Sequence, residues 1–143
     1  MLGVFGREGV AMATAWNWAD SAGDNLYEIA GLQAFRNYDG SNHTFGDVSI
    51  HAVTTDDAAS SVYASIASAG VDQVVIVAIN KKTTTSNAGI KIAHPTQFHT
   101  AAVYTLTSAG PKLAAAPAIT AVATNAFNYA MPAMSVSVIV PQK

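Results

Sequence analysis

Val10-Ala11-Met12-Ala13-Thr14-Ala15-Trp16-Asn17-Trp18 reads as a buried strand that ends in two tryptophans. Residues 4–9 before it read as loop, and Ala19 to Gly23 after it is small and polar, as in a loop. Asn25 with Glu28 three residues later fits a capping box that opens a helix. Leu26, Ile29, Ala30, Ala34 and Phe35 give that helix a broad apolar face as far as about Tyr38. Asp39-Gly40-Ser41-Asn42 then stops it. One strand and one helix cannot enclose a core. Residues 1–40 therefore read as the last strand–helix unit of a barrel whose earlier units lie elsewhere.

From Gly46 onward the texture is β. Val48, Ile50 and Ala52 alternate with polar neighbours, as do Val62, Ala64 and Ile66. Val74 to Ile79 is continuously apolar, which predicts a central strand covered on both faces. Ile90 and Ile92 flank Lys91, Phe98 to Leu106 is a long strand, and Ile119 to Val122 and Phe127 to Tyr129 are shorter ones. Val136, Val138 and Val140 alternate with serines and Ile139 in a last strand that begins at Met134. Turn clusters separate them at Thr55-Asp56-Asp57, Ala69-Gly70, Thr83 to Ala88, His94-Pro95 and Ser108-Ala109-Gly110-Pro111, and Leu113 to Pro117 reads as an Ala/Pro connection. About eight short strands so spaced predict an antiparallel β-sandwich over residues 41–143. The fold class is thus mainly β, preceded by the barrel unit.

The bulk numbers bound the function. The chain has 143 residues, half of them hydrophobic and 11% charged, which excludes an intrinsically disordered protein. The net charge is -2, and Arg7, Arg36, Lys81, Lys82, Lys91, Lys112 and Lys143 are scattered, so no basic stripe suits a nucleic acid. Cysteine is absent, which rules out disulfides and thiolate metal sites. Met1 leads into Leu2-Gly3-Val4-Phe5-Gly6 with neither a basic start nor a continuous apolar stretch, so no signal peptide is visible. No apolar run approaches the ~18–20 residues that a membrane crossing needs.

Little in the chain carries chemistry. Paired carboxylates would suit glycoside hydrolysis, but there are only two glutamates. Glu28 sits in the first turn of the helix, where a cap accounts for it. Glu8 adjoins Arg7 in Gly6-Arg7-Glu8-Gly9 and suits an ion pair in a loop. Trp16 and Trp18 point to one side of a strand, and a tryptophan at the C-terminal end of a barrel strand faces the mouth where substrates bind. Trp16 could stack on a sugar ring there, or it could pack beneath the following helix. His43, His51, His94 and His99 show no metal-ligand spacing, and surface positions account for them. No nucleophile-elbow pattern is present. Gly3, Gly6 and Gly9 precede the strand, the wrong order for a phosphate cradle. Asn42-His43-Thr44 is a sequon, informative only in a eukaryotic secretory setting. No cofactor is implied.

The segments Phe5-Gly6-Arg7-Glu8-Gly9-Val10, Met12-Ala13-Thr14-Ala15-Trp16, Phe35-Arg36-Asn37-Tyr38-Asp39-Gly40 and Phe45-Gly46-Asp47 resemble glycoside hydrolase family 44. Ser61-Val62-Tyr63-Ala64-Ser65 and Val77-Ala78-Ile79-Asn80-Lys81 look like the same family's downstream sandwich, so the resemblance extends over essentially the whole chain. It implies an extracellular bacterial endo-β-1,4-glucanase, some members of which act on xyloglucan, xylan or mannan. It implies a (β/α)8-type catalytic barrel with a sandwich formed mainly from the C-terminal part. Such enzymes retain configuration with two glutamates, at the ends of the fourth and seventh barrel strands.

On that resemblance the chain begins after the seventh strand. It holds the eighth strand and helix (residues 1–40) and the sandwich (residues 41–143), but neither catalytic glutamate. Trp16 is the residue carried over, as a wall of the sugar cleft. Glu8 matches an Arg-Glu motif of the family without an assigned role. The expected partners are a β-1,4-linked polysaccharide, reached through the parent barrel, and the missing N-terminal barrel portion itself. Alone, the chain is expected to be inactive, either as an excised piece or as a reading frame that starts at an internal Met. A different class stays open: a non-catalytic carbohydrate-binding sandwich, which would need Tyr63, Phe98, Tyr104, Phe127 or Tyr129 on its surface. A purely structural orphan domain is the third reading.

Overall fold

The computed structural model describes residues 2–14 and 26–143. Two helices precede eight strands: α1 (Leu2–Arg7), α2 (Leu26–Arg36), β1 (Val48–Ile50), β2 (Ser60–Ala67), β3 (Gly70–Asn80), β4 (Ser86–Lys91), β5 (Thr100–Thr107), β6 (Gly110–Ala123), β7 (Ala126–Met131) and β8 (Ser135–Gln142). Every pairing is antiparallel, in the order β1-β2-β3-β8-β5-β6-β7-β4.

This one continuous sheet curls into two layers, and β6 is the strand that turns the corner. Its residues up to Thr120 pair with β5, whereas Ala121 and Ala123 pair with β7. Register shifts at Ala101/Val103 and Ala121/Ala123 accompany the turn, as bulges do where a strand bends. The first layer is β1-β2-β3-β8-β5-β6 and the second is the end of β6 with β7 and β4. Between them lies the main core: Val74, Ile76 and Ala78 of β3, Ala101 and Val103 of β5, Phe98 before it, Phe127, Tyr129 and Met131 of β7, and Ile139 of β8.

The expected two-faced central strand is β3. Its odd-numbered residues Val75 and Val77 leave the main core and join Val138 of β8 in a second cluster beneath Ala34 and Tyr38. Helix α2 supplies Ala34, which is fully buried, and lies across the outer face of the first layer. Small residues at the contact let the helix approach the sheet. Two backbone approaches require glycine. Gly46 donates its amide to Ser65 Oγ at 2.8 Å, and a Cβ there would overlap the carbonyl of Ile66. Gly3 of α1 lies flat on the ring of Tyr63, with no space for a Cβ.

Two buried asparagines tie the layers. Asn80, at the end of β3, donates Nδ2 toward the carbonyls of Thr84 (2.9 Å), Met131 (3.2 Å) and Pro132 (2.8 Å), and its Oδ1 accepts from the Lys82 amide at 3.0 Å. Asn125 stands at φ 53°, in the left-handed region that asparagine tolerates. Its side chain donates to His94 O and Thr96 O and accepts from the Phe98 amide at 2.8 Å. Tyr129 Oη and Ser137 Oγ meet across the core at 2.9 Å. Burial is thus matched by partners, as low-dielectric interiors demand.

Three expectations change. Residues 2–7 form helix α1 where loop was expected. The strand expected from Val10 does not form over residues 10–14, which carry no regular structure and leave Val10 and Met12 44% and 84% exposed; Ala15 to Trp18 lie outside the described residues. A barrel strand takes ladder bonds from a neighbour on each side, and among the described residues none is offered. Third, Leu113 to Pro117 is no connection but the middle of β6. Pro111 and Pro117 are tolerated because this part of β6 pairs only with β5, so its other side is an edge that needs no donors.

Candidate functional site

Trp16, the expected cleft wall, and Trp18 lie outside the described residues, as does Asn25, the expected helix cap. Glu8 follows α1 and receives Arg7 Nε at 3.0 Å, with both side chains largely exposed. Glu28 is exposed in the first turn of α2. No shared site joins these residues among those described.

The groove with most functional character was not foreseen. It has a volume of about 660 Å³ and lies on the outer face of the first layer, below the C-terminal end of α2. Arg36, Tyr38, His43, Gln73, Tyr104 and Gln142 line it. The chain enters it through Asn37-Tyr38-Asp39-Gly40, a stop signal whose local chemistry is legible. Gly40 (φ 79°) and Asn42 (φ 67°) take left-handed conformations, and Asn37 Oδ1 accepts from the Asn42 amide at 2.8 Å. Asp39 accepts from the amides of Ser41 (2.9 Å) and His43 (3.4 Å), and its Oδ2 stands 2.5 Å from His43 Nδ1.

Tyr38 is buried between Tyr104 (5.4 Å between ring centroids) and the stacked ring of His43 (6.3 Å). Burial, reinforced by the nearby Asp39 and then Tyr104, pushes the Tyr38 phenol up to about 12. It therefore stays protonated at ordinary pH and packs as an apolar wall. Partial burial pulls the Asp39 carboxyl up, but the His43 ring and the two amides outweigh it, and the net direction is down. The Asp39–His43 pair has no nucleophile hydrogen-bonded to the ring among the described residues, so it closes a loop and starts no acyl or phosphoryl chemistry.

The other carboxylates with displaced affinity are structural too. Asp47 accepts from the Ser68 hydroxyl and, at 2.7 Å, from the Ser68 amide, which holds it below the usual carboxylate range. Asp72 is lowered by Lys143 Nζ at 2.6 Å and by Thr96 Oγ1 at 2.5 Å. A glycosidase acid needs a carboxyl raised toward neutral pH, and Asp39, Asp47 and Asp72 all move the opposite way. Among the described residues, no helix is long and apolar enough to cross a membrane.

No protein-family model matches the chain. Its sequence is 31% identical over 135 residues to endoglucanase A of Paenibacillus lautus, a match that takes in 94% of this chain and 19% of the relative. The fold superimposes on a Paenibacillus polymyxa xyloglucanase from glycoside hydrolase family 44 with a TM-score of 0.91 and 32% identity, over 99% of this chain and 27% of that one. Against Cel44A, a family 44 endoglucanase from Clostridium thermocellum, the TM-score is 0.90 at 30% identity, over 99% and 27%. The chain thus spans about a quarter of the solved structures it matches and a fifth of the endoglucanase. Near-complete agreement in sequence and topology marks the chain as a part of a glycoside hydrolase. It belongs to glycoside hydrolase family 44.

Proposed function

We propose that this chain is the barrel-end and sandwich portion of an extracellular endo-β-1,4-glucanase that hydrolyses cellulose- or xyloglucan-type polysaccharides with retention. The carrying observation is its superposition over 99% of its length on a family 44 xyloglucanase of which it spans only 27%. In this reading the catalytic glutamates lie outside these 143 residues. One protonates the glycosidic oxygen; the other attacks the anomeric carbon, and water then releases the glycosyl-enzyme. Residues 1–40 complete the barrel, residues 41–143 form the supporting sandwich, and Trp16 lines the cleft as a stacking face.

The lowered Asp39, Asp47 and Asp72 carboxyls favour this division of labour, because none suits the acid role. Burial of Phe98, Phe127 and Tyr129 disfavours the alternative of an independent carbohydrate-binding module, since the aromatics it would use fill the core.

The test is reducing-sugar release from carboxymethylcellulose and xyloglucan. The chain alone is expected to release none, and the chain extended upstream to a full barrel is expected to be active. Normal turnover by the short chain would overturn the proposal, and Glu8→Gln would then be the first variant to make. Within the active longer chain, Trp16→Ala is expected to raise KM more than it lowers kcat.

A further inference from the structure

Counted from the bend in β6, the first layer continues for five more strands and the second for only two. β2 and β1 therefore overhang the edge of β4, by about 10 Å at the usual ~4.8 Å strand spacing. Burial follows this imbalance. Core residues under β7 and β4 are closed off: Val74, Phe98, Val103 and Ile139 are at most 1% exposed. Ile50 of β1, Ala52 just past it, and Val62 and Ile66 of β2 pack against the same core but are only half-buried, as are Ala88 and Ile90 of β4. The sandwich is open along one side.

The edge at that opening differs from the other long edge. The free side of β6 carries Pro111, Lys112 and Pro117, residues that block further pairing. β4 pairs with β7 on one side and, among the described residues, with no strand on the other. Its sequence, Ser86-Asn87-Ala88-Gly89-Ile90-Lys91, holds no proline. One edge is blocked by its chemistry and one is left able to pair.

A second copy of the chain does not fit there. Antiparallel pairing of β4 with its own copy would turn about an axis normal to the sheet and keep both first layers on the same side. The copy's β3 and β8 would then enter the space held by β2 and β1. What fits is one or two strands without a layer of their own beneath them. The solved family 44 structures supply such material, because most of each lies outside the part this chain matches.

We propose that the open edge of β4, with the inner faces of β1 and β2 below it, receives an extended segment from the remainder of the family 44 chain. The segment turns alternate apolar side chains toward Ile50, Ala52, Val62 and Ile66 and completes the second layer. The inference rests on the proposed reading of the chain as part of a longer glucanase, and it adds that the sandwich is built from chain on both sides of a sequence gap.

Amide hydrogen exchange, compared between the chain alone and the longer reading frame, tests it. In the chain alone, the half of the 86–91 amides that face away from β7 should exchange fast. In the longer chain they should slow by at least about tenfold, while residues 112–118 on the proline-blocked edge keep their rates. Unchanged exchange at 86–91, or equal slowing at 112–118, would overturn the proposal. Slowing confined to 86–91 in a longer chain that releases no sugar would uphold the strand while overturning the glucanase reading.

Discussion

Val10-Ala11-Met12-Ala13-Thr14 and Val74-Val75-Ile76-Val77-Ala78 are both five-residue runs that look like buried strand. Only the second is one. Its residues are at most 7% exposed, between β2 and β8 on either side and between α2 and the second layer above and below. The first run has no ladder neighbour among the described residues and leaves Met12 84% exposed. The lesson is that an apolar run states a demand for partners, and the strand exists only where the chain at hand meets that demand.

The contrast can be broken from the sandwich side first. Phe98→Ala removes a ring that is 1% exposed at the centre of the two-layer core and is expected to cost about 3–5 kcal/mol in urea unfolding. A loss below about 1 kcal/mol would mean that the core is looser than its burial implies. Asn80→Ala leaves three carbonyls and the Lys82 amide without their partner, so a loss of about 2–3 kcal/mol is expected, with separation of the β3 and β7 ends visible in amide exchange.

Acid sensitivity sharpens the comparison at the seam where Asp72 joins β3 to the C-terminal Lys143. Its folded carboxyl lies below the ordinary value, so its contribution is present above the unfolded pKa of about 3.9 and disappears as pH falls through the lower folded one. Asp72→Asn should flatten the stability profile in that acidic window and leave the neutral range almost unchanged. A side-chain NMR titration of Asp72 with its midpoint at or above the ordinary value would sink this account.

The smallest effect belongs to the other region. Met12→Ser should change stability by less than about 0.5 kcal/mol in the isolated chain, because an exposed side chain has no packing to lose. A large loss there would erase the contrast between the two runs.

Much of the sandwich was legible. Strict alternation located β2 and β8, and the unbroken Val74 to Ile79 located the two-faced strand, because each pattern reports how many sheet faces are covered. β6 was misread because Ala and Pro carry a strong loop signal, whereas an edge strand that pairs on one side tolerates both. The groove around Tyr38 escaped notice for another reason. Asn37-Tyr38-Asp39-Gly40 announces a helix stop, but the rings that meet Tyr38 come from His43 nearby and from Tyr104, distant in sequence. Glu8 and Glu28 were correctly placed at a loop and at a helix start, since local charge and cap chemistry alone fix such positions.

By itself the sequence determined the β-class of residues 41–143, the number of strands, the helix before them and the family to which they belong. These follow from periodicity, turn residues and local motifs, which act over a few residues. Tertiary structure decided the strand order, the corner in β6, the burial of both asparagines, the open edge of β4 and the failure of Val10 to Thr14 to become a strand. Each depends on what lies across space from a residue, and a backbone donor or apolar side chain acquires its state only when that neighbour is present.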